Sequence, residues 1–276
     1  MIYNINGNSL NMAYDINGDQ LSQAYDINGN TLMQTSNLTV MSYNVQWMTG
    51  INSDSSMQAE ILDTYNADVI GFQEFQYPNS STVPSWVSTL LPNHYINMGN
   101  YGNKNAFATK YAMSDFVTVP HTEQTMDGQS YSTATITVDD KEVFIVVSHL
   151  TTSTYETQKV AQAKEIYDAL QGHERFILVG DFNTVCKSTS DTEYTTIMKQ
   201  FIDAGYNSAN CSAQHGFNNT WTSGSTATGT WYPTDQIITS ANILISNVVV
   251  DQRKIAVAEQ TGQSIDHLPI IAYLYV

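Results

Sequence analysis

From about Thr35 onward, short apolar runs alternate with stretches of helical periodicity. Leu38-Thr39-Val40-Met41-Ser42-Tyr43 predicts a strand, residues 55–65 an amphipathic helix, and Asp68-Val69-Ile70-Gly71-Phe72 a short buried strand. Residues 104–110, 132–138 and 142–148 predict further strands, the last two joined by an Asp139-Asp140 turn. Between 155 and 170, Val160, Ala163, Ile166 and Leu170 fall on one helical face. Residues 175–179 predict a buried strand, 191–201 a helix, and 237–250 and 268–276 a strand-rich tail. Hairpins beside βα units argue an α/β (α+β) fold in which two packed sheets are covered by helices.

The first 35 residues follow a different rule. Tyr3-Asn4-Ile5-Asn6-Gly7-Asn8-Ser9-Leu10 recurs as Tyr14-Asp15-Ile16-Asn17-Gly18-Asp19-Gln20-Leu21 and again as Tyr25-Asp26-Ile27-Asn28-Gly29-Asn30-Thr31-Leu32, a period of eleven. Asn-Gly favours a two-residue turn with positive φ at both positions, so each unit reads as a miniature hairpin needing a neighbour to cover it. Asp15, Asn17 and Asp19 alternate as oxygen ligands for calcium would, but the other copies carry mostly Asn and no terminal Glu follows. A stacking or attachment element, open to a protein partner or to self-association, is the simpler reading. The chain thus divides into residues 1–35 and a main domain over 36–276.

Composition narrows the function. Ten Lys and Arg against 26 Asp and Glu leave a net charge of −16, so no broad basic face can form, which excludes a high-affinity, sequence-reading DNA binder. Hydrophobic residues make up 42% and charged residues 13%, as in a folded domain whose surface polarity comes from Ser, Thr, Asn and Gln. No apolar run is long enough for a membrane span, and Met1-Ile2-Tyr3-Asn4 lacks a basic n-region and an apolar h-region. A cytoplasmic protein, or one released without a classical signal peptide, is expected. Cys186 and Cys211 lack zinc-site spacing; they could pair, though two free thiols suit a reducing compartment.

The candidate chemistry sits at strand ends. Met41-Ser42-Tyr43-Asn44, Ile70-Gly71-Phe72-Gln73-Glu74, Val147-Ser148-His149-Leu150, Val179-Gly180-Asp181-Phe182-Asn183 and Ser264-Ile265-Asp266-His267-Leu268-Pro269 each break an apolar run with polar, metal-competent or acid–base groups. Thr234-Asp235-Gln236-Ile237-Ile238 places a carboxylate at a strand start. Taken singly, each has a structural reading: Asn44 as a cap, Asp181-Phe182-Asn183 as an Asx-turn, His149 as a core histidine, and Asp266-His267 as a strand cap before Pro269.

In their order along residues 37–276, these segments resemble the endonuclease/exonuclease/phosphatase superfamily, whose familiar member is pancreatic deoxyribonuclease. The resemblance implies a four-layer α/β sandwich of two mixed β-sheets, with a phosphoester-cleaving site at the top of the sheets that uses Mg²⁺ or Mn²⁺. It assigns Asn44, Glu74 and Asp266 to the metal. It assigns Asp181 and Asn183 to the attacking water and a nonbridging oxygen, His267 with Asp235 to a dyad, and His149 to phosphate stabilisation. It also makes Asn105 a substrate contact; Tyr101 and Trp221 are aromatic residues available to stack on a base or simply to pack. The residue types suit the chemistry without the family. Oxygen-only ligands favour a hard cation over zinc. An attacking hydroxide meets an anionic ester, so positive charge from a cation and two imidazoles is needed, with Asp181 or His267 free to take the water's proton.

Two departures bear on substrate. Gln76 stands where deoxyribonucleases of the family commonly carry an Arg, and Trp221, Trp231 and Tyr232 could wall one side of the site. The expected activity is a metal-dependent phosphodiesterase, a nuclease of low sequence specificity with nucleic acid as substrate. A phosphomonoesterase or a sphingomyelinase-like phospholipase is the alternative within the superfamily. An attachment protein with a vestigial catalytic domain is the alternative from another class.

Overall fold

The computed structural model of the chain describes residues 23–25, 31–34, 36–46, 55–75, 85–99, 105–123, 129–184, 187–222, 231–255 and 266–276. Two six-stranded sheets carry the fold. One runs in the order Leu244–Val250, Ile270–Tyr275, Leu38–Asn44, Val69–Gln73, Ala106–Thr109, Tyr95–Met98. The other runs Asn207–Ser208, Asp235–Thr239, Phe176–Asp181, Lys141–His149, Ser130–Val138, Ser114–Pro120.

Each sheet contains one parallel pair, Leu38–Asn44 with Val69–Gln73 and Lys141–His149 with Phe176–Asp181. Parallel neighbours need a crossover, and the helices Ser55–Tyr65 and Glu156–Leu170 supply the two crossovers. The consequence for the site is direct. Parallel strands end at the same edge, so Asn44 lies beside Gln73 and Asp181 beside His149 at the last register of each pair. An antiparallel neighbour starts where these end, which is why Asp235 opens its strand opposite Asp181.

Alternation along the strands sorts side chains into layers. Val40, Val69, Val147, Val179 and Ile237 face the seam between the sheets. Met41, Ile70 and Phe72 face Ile61 and Leu62 of the first crossover helix, while Val146 and Leu178 face Ala163, Ile166 and Leu170 of the second. The order helix, sheet, sheet, helix is the four-layer sandwich that the sequence implied. Gly71 lets the sheets approach below the site: a Cβ there would lie 2.0 Å from Val179 Cγ2.

The Asp139-Asp140 turn has φ of +48° and +62°, the two positive angles of a tight hairpin. Residues 191–201 are helical, but with a π turn at Tyr194–Met198 before Lys199–Asp203. That wider turn keeps Tyr194, Ile197, Met198 and Phe201 on the buried side. Ser85–Leu90, Tyr95–Met98 and Ser114–Pro120 have no counterpart among the predicted elements. The two strands lie at sheet edges and have no buried residue, so neither carries a strong apolar pattern. Around the third repeat unit, Gln23–Tyr25 pairs antiparallel with Thr31–Gln34. The first two units and the Asn28-Gly29 turn lie outside the described residues. Among the described residues no helix is long and apolar enough to cross a membrane.

Candidate active site

The chain leaves three of the four parallel strands through, or just past, a left-handed residue: Gln46 at φ +45°, Glu74 at +52° and Asn183 at +50°. Such non-glycine conformations cost about 1–3 kcal/mol each and concentrate at functional sites. Here they turn side chains back over the sheet edge. Asn44 joins the two sheets: its Nδ2 donates to Glu74 Oε1 at 3.3 Å and to Asp181 Oδ2 at 3.0 Å, and its Oδ1 accepts from the Gln46 backbone N–H at 2.8 Å.

Asp181 Oδ2 is the hub. Besides Asn44, it faces His149 Nε2 and His267 Nε2, each at 3.4 Å. Its other oxygen accepts the Asn183 backbone N–H at 2.8 Å, which closes the Asx-turn. Asn183 Nδ2 donates to the Leu150 carbonyl at 2.8 Å and lies 3.1 Å from His149 Nε2. His267 turns Nδ1 to Asp235 Oδ2 at 2.9 Å. Asp235 is held in turn by the Thr234 hydroxyl at 3.1 Å and by its own N–H donating to Thr220 Oγ1 at 2.9 Å. Gly180 permits the packing behind this loop, since a Cβ there would meet the Ser148 carbonyl oxygen at 2.3 Å.

Burial works against charge at Glu74, Asp181, Asp235 and His267, and their neighbours decide the outcome. Burial would depress His267, but Asp235 and Asp181 overcome it and push the imidazole up to about 10. Burial would raise Asp181, yet the two imidazoles, the Asn183 N–H and Asn44 draw it below the usual carboxylate range. Asp235 is raised by burial and by Asp181 against the pull of His267. Asp235 and His267 stay in direct contact at 2.9 Å, so the charge of each bears on the other. Glu74 is raised by burial, only partly offset by His149, His267 and Asn44.

Four carboxylates, Glu74, Asp181, Asp235 and Asp266, face two imidazoles here, so a cation has electrostatic room. The donors are oxygens, which suits a hard divalent ion. Glu74 in particular is a half-buried carboxylate whose raised pKa a cation would bring down. Asp181, Asp235 and His267 also present ligand atoms within 4.8 Å of one another and could hold a metal ion. His267 Nδ1 is engaged with Asp235, however, so a metal held by that trio would have to displace this hydrogen bond.

Of the residues expected from sequence, Asn44, Glu74, His149, Asp181, Asn183, Asp235 and His267 form one connected cluster. Asp266 stands at its rim, Oδ2 3.9 Å from His267 Nε2. Asn105 is buried and donates to the Ser130 carbonyl at 2.7 Å, while its Oδ1 has no partner among the described residues. Trp221 lies beside His267, ring centroids 6.5 Å apart, and against Tyr232 at 5.7 Å. Tyr101, Gln76 and Cys186 lie outside the described residues; Cys211 is buried, its Sγ donating to the Pro233 carbonyl at 3.4 Å.

Two lysines were not anticipated. Lys159 is fully buried and donates to the Asn183 carbonyl at 2.8 Å and to Glu193 Oε1 at 2.7 Å. Lys254, also fully buried, donates to the His267 carbonyl at 3.0 Å and lies over the Tyr43 ring at 4.5 Å. One braces the Asp181 loop and the other the His267 loop. Lys159 was legible in principle, because it shares the face of Ala163, Ile166 and Leu170, where a charge is out of place. Lys254 gives no such signal.

The layered sandwich, with acids and imidazoles gathered at the strand ends of both sheets, defines a hydrolase architecture of the deoxyribonuclease type. The chain belongs to the Endonuclease/Exonuclease/phosphatase family, whose model matches residues 41–254. Proteins of this family are phosphoesterases. Similar solved structures include the endonuclease/exonuclease/phosphatase from Bacteroides vulgatus, 14% identical, covering 87% of this chain and 98% of that one, with a TM-score of 0.69. D. rerio TDP2 complexed with a single strand DNA product is 15% identical, covering 87% and 99% at a TM-score of 0.67. A mannosyl-6-phosphatase from Bacteroides thetaiotaomicron is 14% identical, covering 87% and 100% at 0.63. Identities this low speak for the fold alone. No curated protein matches the chain.

Proposed function

We propose that this chain is a divalent-metal-dependent phosphodiesterase that cleaves nucleic acid with little sequence preference. The observation that carries the reading is the placement of the Asp181 carboxylate at 3.4 Å from both His149 and His267, with Asp235 behind His267. Asp181, ionised and oriented by Asn44 and Asn183, takes the proton of the attacking water. His267 was expected from sequence as an alternative acceptor. With its pKa pushed up to about 10 it is already protonated at neutral pH, so it serves instead as a fixed positive charge toward the phosphate. Asp235 holds that charge and the ring's orientation. His149 and Asn183 face the nonbridging oxygens. Asn44, Glu74 and Asp266 would hold the cation, which supplies, when bound, positive charge for the developing phosphorane. Asn44 would have to turn its carboxamide over, since its oxygen now accepts from Gln46, and Asp181 would then keep its orientation from the Asn183 N–H.

A diester substrate is favoured by the aromatic face of Trp221 and Tyr232 beside His267, since bases stack on such faces without regard to sequence. The similar TDP2 structure holds a single strand DNA product, in keeping with this choice. The competing reading is a phosphomonoesterase, favoured by a net charge of −16 and by the sugar phosphatase among the similar structures. Product analysis on plasmid, single-stranded DNA, RNA, para-nitrophenyl phosphate and phospholipid, with and without Mg²⁺, separates them. Cleavage of polynucleotides that requires the ion is expected. Hydrolysis of the monoester or the phospholipid with no attack on any nucleic acid would overturn the nuclease assignment.

A further inference from the structure

Of the ten basic residues, nine lie among the described residues. Six of these close ion pairs with carboxylates, and Lys141 and Lys254 donate to backbone carbonyls. Lys187 does neither among the described residues. Its ammonium sits 4.3 Å from the centroid of the Tyr232 ring, an attraction between a cation and the negative face of the ring. Its backbone N–H donates to Asp191, which fixes the turn that carries it. In a chain this acidic, an exposed ammonium that closes no ion pair among the described residues, although Asp191 feels its charge, calls for a role close to the candidate site.

Its location supplies one. Lys187 follows the Asp181–Asn183 loop by four residues, yet it reaches across to Tyr232, which precedes Asp235. From the imidazole of His267 a ladder of rings runs outward: Trp221 at 6.5 Å, then Tyr232 at 5.7 Å from Trp221, then the Lys187 ammonium. The ladder is anchored to the site by backbone contacts. Trp221 bridges His267, Leu268 N–H donates to the Thr220 carbonyl at 2.7 Å, and Trp221 pairs with Tyr232. An aromatic strip that begins at the candidate site and ends in a positive point charge matches a substrate with a planar base next to the scissile phosphate and a second phosphate beyond it.

We propose that Lys187, with Tyr232 beneath it, is a subsite for a second phosphate, one nucleotide removed from the bond that is cleaved. This rests on the nuclease reading above and adds to it that substrates are recognised through a phosphate flanking the scissile one. Such recognition favours a polynucleotide over an isolated diester, although the chain has no broad basic face.

The test uses the full chain with Mg²⁺ and three substrates: the dinucleotide TpT, and the same dinucleotide phosphorylated at its 5′ or its 3′ end. Bis-para-nitrophenyl phosphate serves as a diester with no second phosphate. The native chain is expected to cleave one of the phosphorylated dinucleotides at least tenfold more efficiently than TpT, and that preference should weaken as salt is raised. Lys187→Ala should cost the preferred phosphorylated dinucleotide about tenfold more than it costs TpT or the small diester, with Lys187→Arg retaining most of the preference. Equal losses on all substrates, or a preference that survives in Lys187→Ala, would overturn the subsite while leaving the nuclease reading intact. If the native chain hydrolyses the small diester but none of the dinucleotides, the nuclease reading itself falls and the subsite falls with it.

Discussion

One oxygen, Oδ2 of Asp181, receives the Asn44 amide and lies between two imidazoles, so changes at single residues here should be strongly coupled. Removing His267 or Asp235 alone should lower kcat by roughly a hundredfold or more, the scale of acid–base and electrostatic terms. The double change His267→Ala with Asp235→Asn should add little to either, because residues acting as a unit are not additive. Steady-state kinetics on the native chain and the three variants decides it, and full additivity would dissolve the dyad. The same group sets a pH dependence. His267 rises from 6.5 to about 10 on folding, so the stability it contributes is complete below pH 6.5 and is lost as pH climbs through about 10. Asp181 runs the other way: lowered from 3.8, it contributes above that value and loses its contribution as pH falls through its folded pKa. Thermal melts of the native chain should therefore decline between pH 7 and 10.5, and in His267→Ala that alkaline decline should flatten. Glu74→Gln should abolish most Mn²⁺ binding by titration calorimetry while the circular dichroism spectrum stays native; unaltered binding would move the cation elsewhere.

At the level of elements, the loops that carry the site are braced from below by backbone-directed lysines and by glycines at close approaches. Lys159 holds the Asn183 carbonyl while paired to Glu193, so the single change would strand a carboxylate. The double substitution Lys159→Met with Glu193→Gln removes both charges. It should fold, keep KM within about twofold and lower kcat about tenfold, because Asn183 and His149 lose their setting rather than the substrate its contacts. A drop in KM affinity with kcat preserved would assign the pair to binding. Gly71 marks the closest approach of the two sheets, and Gly71→Ala forces Val179 aside from a 2.0 Å contact. Overpacking of this kind costs about 1–3 kcal/mol. Urea unfolding should show a lower midpoint with an unchanged slope.

Across the whole molecule, a net charge of −16 opposes any polyanion, so binding must rely on the cation, a few cationic contacts and stacking. Affinity for single-stranded DNA should fall only gently with salt, with a slope matching about two or three neutralised phosphates. A slope matching six to ten would mean that a basic surface exists after all. Deleting residues 1–33 should leave phosphodiesterase activity per molecule nearly unchanged, since the eleven-residue period ends before the first strand of the sandwich at Leu38. A truncated chain that folds but fails to cleave would show that the repeat completes the site.

The polar residues of the site were legible because each interrupts a buried strand. Asn44, Glu74, His149, Asp181 and Asp266 stand where an apolar run stops, and local alternation marks such breaks in the chain itself. The two-sheet sandwich was legible for the same reason, since helical and strand periods are properties of neighbouring residues. What these periods do not contain is distance across the fold. Asn44 meets Asp181 over 137 positions, and His267 meets Asp235 over 32. Only the register of two parallel strand pairs, closed by two crossover helices, brings those ends to one edge. Edge strands such as Ser114–Pro120 escaped because exposure erases the apolar pattern. Lys254 and the Lys187–Tyr232 contact escaped because a lysine's role depends on what packs around its ammonium, which tertiary structure alone decides.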